Sequence, residues 1–358
     1  MPKRQRGRRM LPAIAGIGLG LTALRAIRQR RTEDLHGQVV LITGGSRGLG
    51  FLLAREFAAE GCRVVICARD EFELTRAKVD LEQQRAEVLA LRCDIANREQ
   101  VDELVAAAIE RFGRIDVLVN NAGIIQVGPV MTMTVEDYER ALGVMFWGVL
   151  SPTLAVLPGM RQRGSGRIVN ITSIGGKVSV PHLLPYNTAK FAAVGLSEGL
   201  RAELARYGIS VTTVVPGLMR TGSHLNALFK GNQAAEFNLF APLASLPLIS
   251  IDAERAARQI VTATKRGDAE LIISLPAHVA VRFHGLFPGT TANLLGLVNR
   301  LLPDAEADRA GTVPGMAISA RHPSKLRGAA TVLGRSAARR FHQFPGPRDA
   351  ENTSGYGS

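Results

Sequence analysis

Aromatic residues make up 5% of the chain, tryptophan occurs once and cysteine three times. Cys62, Cys67 and Cys93 are an odd number in a chain of 358 residues. They therefore exclude a disulfide framework, and they lack metal-ligand spacing; buried, reduced thiols in a cytosol-facing protein are the expectation. The seven histidines form no pair at helical or loop spacing, so no metal site is expected. No apolar run reaches the ~20 residues that span a bilayer comfortably. No internal repeat is present.

Acid is missing where base is richest. Residues 1–31 carry nine Lys or Arg and no Asp or Glu, and residues 320–358 carry seven bases against Asp349 and Glu351. Taken from the total of +13, these two ends leave the middle of the chain near −1. A nucleic-acid-binding domain carries its charge on a folded face, so no nucleic-acid partner is expected. Within the leader, residues 10–24 (MLPAIAGIGLGLTAL) hold no charge and are flanked by arginines. That pattern suits a membrane anchor over residues 1–35 that spans, or lies in the interface on anionic lipid; a removed leader is the competing reading. The last segment, 319–358, is rich in Arg, Ser, Gly and Pro without apolar periodicity, and reads as a flexible basic tail. Before it, residues 276–318 form an apolar extension in which Pro288-Gly289 separates two short amphipathic helices. These would cover a pocket, pack on the core or dip into a membrane.

Residues 36–275 alternate apolar strand segments with amphipathic helices. The strands are expected at VVLIT (39–43), CRVVICA (62–68), VLALRC (88–93), IDVLVN (115–120), RIVNITS (167–173), ISVTTVV (209–215) and AELIIS (269–274). One long helix is expected from Thr134 to about Gln162 and another over 185–207. Such alternation implies a parallel sheet covered on both faces. Between the first strand and first helix lies T-G-G-S-R-G-L-G (43–50). Gly44, Gly48 and Gly50 there allow a tight turn and close approach to a pyrophosphate, whose charge sits at a helix N-terminus.

The spacing T-G-x-x-x-G-x-G resembles that of the short-chain dehydrogenase/reductase family. C-D-I (93–95), N-N-A-G (120–123), I-T-S (171–173), Y-N-T-A-K (186–190) and P-G-L-M-R-T (216–221) follow in the order that the family shows. The resemblance implies an α/β fold, a doubly wound sheet of about seven strands. It also implies an NADP(H)-dependent oxidoreductase with Ser173, Tyr186 and Lys190 as catalytic residues. Cofactor contacts are implied at Gly44, Ser46, Arg47, Gly48, Leu49, Gly50, Arg69, Asp94, Ile95, Asn121, Ala122, Gly123, Tyr186, Lys190, Pro216, Gly217 and Thr221. NADP is expected over NAD because Ala68 stands where an acid would accept a ribose hydroxyl, and Arg47 and Arg69 offer two guanidiniums to a 2′-phosphate. Lys190, one helical turn beyond Tyr186, is expected to lower the tyrosine pKa. Met145 falls roughly where the family has an asparagine that supports a kinked helix and a proton-passing water.

The segment 218–250, with Leu225, Leu228, Phe229, Phe237, Leu239 and Phe240, is expected to cover an apolar pocket for a hydrophobic ketone or alcohol. A homodimer or homotetramer through the two long helices, and a catalytic domain facing the cytoplasm, complete the expectations. A catalytically weak NADPH-binding scaffold or redox sensor is the alternative that Met145 and the tails support.

Overall fold

The computed structural model describes residues 32–247, 249–304 and 311–344. The anchor expected of residues 1–31 and the far end of the tail lie outside them.

Seven strands form one parallel sheet: β1 (Val39–Thr43), β2 (Arg63–Ala68), β3 (Val88–Arg92), β4 (Val117–Asn120), β5 (Gly166–Ile171), β6 (Ile209–Pro216) and β7 (Glu270–Ile273). Their spatial order is β7-β6-β5-β4-β1-β2-β3, every neighbouring pair parallel. Continuous apolar runs follow from burial on both faces. In β1, Val40 and Ile42 enter one core while Val39 and Leu41 enter the other, as the two-residue period requires. The first core holds helices α1 (Gly48–Ala59), α2 (Glu71–Gln83) and α8 (Ala253–Arg266); the second holds α3 (Arg98–Phe112). The strand order reverses between β1 and β4. A doubly wound sheet opens its ligand crevice at that switch point, beyond the carboxyl ends of the strands.

The helix expected from Thr134 to Gln162 is interrupted. It consists of α4 (Val135–Leu142), a π turn (Gly143–Trp147) and α5 (Gly148–Arg163). Pro152 removes the N–H that would have bonded the Gly148 carbonyl. A Cβ at Gly148 would fall 2.9 Å from Ile95 Cγ2, so only glycine lets the helix pass that side chain. By length and composition the whole rod could cross a membrane. Here it packs on α3 and on α6 (Leu184–Leu204).

Beyond residue 218 the chain covers one end of the sheet with α7 (Gln233–Leu243) and then α8. The two expected amphipathic helices are α9 (Leu275–Leu286) and α10 (Pro288–Asn299), with Ala277 and Thr291 their only fully buried residues. The flexible tail read into residues 319–358 needs correction up to residue 344. There α11 (Gly315–Arg321), α12 (Lys325–Ala330) and α13 (Val332–Arg340) fold back onto the domain. Ala337 and Phe341 enter the first core, and Ala338 enters a separate cluster with Leu225, Phe229 and Phe237. The stripe escapes a periodicity search because alanines supply most of it.

Candidate active site

The glycine loop links β1 to α1. Gly44 turns at φ +64, and a Cβ on Gly50 would fall 2.1 Å from the Gly44 carbonyl oxygen. Loop and helix therefore touch backbone to backbone. Asn121 pins the turn from the end of β4: its Nδ2 donates to the carbonyls of Thr43 (3.0 Å) and Gly44 (3.1 Å). The Thr43 hydroxyl accepts from the Asn121 and Ala122 amides. Asp70 and Asn97 cap α2 and α3 with their side chains, whereas α1 has no side-chain cap. First-turn amides have no acceptor within their own helix, so those of α1 beyond Gly48 remain a seat for an anion.

The other expected cofactor residues lie around the same crevice. Asp94 and Ile95 follow β3; the Asp94 carboxylate accepts from the Ala96 amide, and Ile95 is buried. Gly123 faces the Met145 thioether: a Cβ there would lie 3.6 Å from the sulfur. Pro216 ends β6, Gly217 leaves no room for a side chain beside Ser274, and the buried Thr221 hydroxyl accepts from the Ser223 amide. Gly48 takes a different part. Its N–H donates to the Phe341 carbonyl at 2.8 Å, so it contributes its turn, at φ +57, and no free donor.

Ser173, Tyr186 and Lys190 come together at the ends of β5 and α6. Ser173 lies close enough to Tyr186 to pull its pKa down, and its hydroxyl accepts from the Gly175 amide at 3.0 Å. Lys190 is buried and donates to the Ile171 carbonyl at 2.7 Å. Here the acid–base balance differs from the expectation. Burial raises the Tyr186 pKa above its usual 10, opposed only by Ser173. The Lys190 ammonium lies 5.8 Å from the Tyr186 ring centroid and is turned to a backbone carbonyl, and burial depresses its own pKa to about 8. Beneath them a polar ladder crosses the sheet. Asn120 donates to Thr153 and Asn170, Asn170 donates to Ser197, and Ser197 meets Thr213 at 2.7 Å. No sequence pattern marks these five as a set. Met145 is fully buried against Ala141, Ala189 and Tyr186. The helix keeps a distortion at this point through its π turn, as such turns do near sites, without an amide side chain.

The two guanidiniums expected for a 2′-phosphate are not equivalent. Arg47 donates to Glu73 at 2.7 Å, and the other Glu73 oxygen accepts from Ser46 at 3.0 Å. Glu73 is buried, so Arg47 is already paired. Arg69 is exposed; Asp70, its neighbour, is occupied in capping α2. Nothing in the sequence singled out Glu73, which sits in the first turn of a charged helix.

The lid also differs from the expectation. Phe229 and Phe237 meet edge-on at 5.4 Å and are buried with Leu225 in a cluster of their own. A hydrogen bond and a buried ion pair hold this cover down: His182 Nδ1 meets Glu236 at 2.6 Å, and Lys230 donates to Asp137 at 2.5 Å. An open cleft of about 490 Å³ is lined instead by Val130, Met131, His182, Leu295 and Leu184, the last at the start of the helix that carries Tyr186. A cleft of the same volume lies away from this chemistry, beside α8 and α9, lined by Arg255, Arg258, Arg266 and His278. Among the described residues no His, Cys, Asp or Glu group could hold a metal ion.

A sequence profile described as short chain dehydrogenase matches residues 38–228. A dehydrogenase/reductase SDR family protein 7-like of Anopheles gambiae is 39% identical over 221 residues, covering 60% of this chain and 69% of the relative. A putative ketoacyl reductase of Streptomyces coelicolor is 41% identical over 192 residues, 53% of this chain and 73% of the relative. Among solved structures, a short-chain dehydrogenase from Streptomyces avermitilis superposes with a TM-score of 0.64 at 32% identity. It covers 74% of this chain and 98% of its own. A variant of actinorhodin polyketide ketoreductase, solved with NADPH, gives 0.59 at 32% identity, over 66% and 95% of the two chains.

Proposed function

The chain belongs to the short-chain dehydrogenase/reductase family, and from that premise we propose that it reduces a hydrophobic ketone to a secondary alcohol with NADPH. The single observation that carries the reading is the grouping of Ser173, Tyr186 and buried Lys190 in a doubly wound sheet whose first helix, α1, has no side-chain cap. The crevice fits a dinucleotide: glycine backbones touch at Gly44 and Gly50, and Asn121 holds the turn from beneath. A bound nicotinamide supplies the hydride. Tyr186 gives its proton to the ketone oxygen, and Ser173 donates a hydrogen bond to that oxygen where negative charge develops. With a raised pKa, Tyr186 holds its proton at neutral pH, the state a reduction needs. Lys190 orients the ribose side of the cofactor.

NADP is favoured over NAD by the absence of an acid at Ala68 and by the exposed Arg69; the NADPH in a related ketoreductase structure supports the same choice. The apolar cleft walls at Val130, Met131, Leu184 and Leu295 favour a hydrophobic substrate. Exposed Trp147, Leu154 and Phe191 on the long helices suit a homodimer. The alternative, a weakly catalytic NADPH-binding protein, draws on Met145, which offers no amide to hold a relay water.

The test is a series of methyl ketones of growing chain length, assayed by NADPH oxidation. The reading expects kcat/KM to climb with each methylene until the cleft is filled. Tight NADPH binding without turnover of any ketone would favour the alternative.

A further inference from the structure

The helical hairpin of α9 and α10 turns most of its apolar side chains to solvent. Leu275, Val279, Phe283 and Leu286 recur at spacings of four, four and three along α9 and are all exposed. Leu294, Leu297 and Val298 on α10, and Leu301 just beyond its end, continue the apolar surface, with Leu301 83% exposed. A soluble surface helix turns such a stripe to the core. Here the stripe faces outward, while Ala277 and Val281 pack α9 against Val215 and Ile272 and Thr291 is the buried residue of α10.

The charge around the hairpin indicates what covers it. Residues 275–302 contain Arg282 and Arg300 and no Asp or Glu. Beside α9 the second cleft gathers Arg255, Arg258, Arg266 and His278 against one acid, Asp268. Within it, Arg258 reaches Glu56 only at 3.9 Å. An apolar face whose rim carries more cations than acids is complementary to an anionic lipid surface, with hydrocarbon for the leucines and headgroups for the arginines. A second copy of this chain would bring the same positive rim against itself.

We propose that α9 and α10 insert into one leaflet of an anionic bilayer, with the Arg255–Arg258–Arg266 cleft seated on its headgroups. The docking is additional to any anchoring by the leader. One face of α10 would then lie in lipid while Leu295 and Gly296 line the open cleft whose wall also includes Leu184, on the helix of Tyr186, so that a ketone dissolved in the membrane reaches the site along that helix. This delivery rests on the ketone reading above; the insertion does not.

The three native cysteines are buried, so Leu286→Cys or Leu297→Cys in the full chain provides the one accessible thiol for an environment-sensitive fluorophore. Ile109→Cys on α3 serves as the remote control. Vesicles of phosphatidylcholine alone, and with about one-quarter phosphatidylglycerol, are added to each labelled protein. Insertion predicts a blue shift and a several-fold rise in emission at 286 and 297, stronger on the mixed vesicles, with none at 109. Arg255→Glu with Arg258→Glu should weaken binding to the mixed vesicles by tenfold or more, since each basic residue near such a surface contributes roughly a fivefold affinity. Three results would each overturn the proposal. The chain floats with vesicles while both probes stay water-like, so that the leader alone anchors it. The probes shift without lipid in a concentration-dependent way, so that a second copy covers the face. Or they are already shifted in dilute, lipid-free protein, so that the chain covers itself. None of these readings requires turnover, so failure of the ketone assignment would not be mistaken for failure of insertion.

Discussion

Lys190 is a charged group placed where charge is expensive, and the cost should be visible in the pH dependence of stability. Burial lowers its pKa from 10.5 to about 8. At about 1.4 kcal/mol per unit, the ammonium costs the cofactor-free fold about 3 kcal/mol when fully protonated. Below about pH 8 both folded and unfolded chains carry the proton, so the cost is complete. Between about pH 8 and 10.5 the folded chain releases a proton that the unfolded chain retains, so stability rises with pH. Lys190→Met removes this titration and also the bond to the Ile171 carbonyl, an offset that does not vary with pH. Urea unfolding of the two cofactor-free proteins should therefore give a difference that shifts by about 2 kcal/mol between pH 7 and 9.5, with the Lys protein gaining as pH rises. A difference constant across that range would refute the idea that the site holds its lysine against a desolvation penalty. The same substitution should abolish turnover, so that stability and activity move in opposite directions at neutral pH once the offset is subtracted.

Ala68→Asp places a carboxylate at the end of β2, where it repels a 2′-phosphate and accepts a ribose hydroxyl. The ratio of NADPH to NADH kcat/KM should fall by ten- to a hundredfold, and an unmoved ratio would remove Ala68 from the selectivity. Glu73→Gln relieves Arg47 of its buried counter-charge, and NADPH affinity by titration should tighten about three- to tenfold with NADH little changed. Equal tightening of both cofactors would show that Arg47 does not meet the extra phosphate. Phe341→Ala empties a buried site between α1 and α8 and should cost about 3–5 kcal/mol in denaturant unfolding. Because the Phe341 carbonyl also holds the Gly48 amide, NADPH binding should weaken as well; a surface-like cost below 1 kcal/mol would put the folded tail in question.

The sheet was legible because buried parallel strands write themselves as unbroken apolar runs, and VVLIT at 39–43 coincides with β1 residue for residue. The grouping of the proposed site was legible for a different reason: Tyr186 and Lys190 lie one turn apart on one helix, and the glycine loop is continuous in sequence. What escaped was set by contacts between distant segments. Glu73 meets Ser46 and Arg47 across 27 and 26 residues. The Phe341 carbonyl reaches the glycine loop from nearly 300 residues away, carried by a helix whose inward stripe is mostly alanine. The break in the long helix depends on how Gly148 crosses Ile95, which no periodicity reports. The lid phenylalanines were read as pocket walls because apolar composition does not say which way a side chain turns; they face each other.

The measurement closest to the central claim is transfer of deuterium from NADPH labelled at its hydride-donating position into a membrane-lipid extract, followed by mass spectrometry. The unaltered protein should place the label on the carbinol carbon of a hydrophobic secondary alcohol. Tyr186→Phe, with NADPH affinity nearly intact, should place none. Equal labelling by both proteins would contradict Tyr186 as the proton donor, and absence of label with the unaltered, NADPH-loaded protein would contradict the reductase itself.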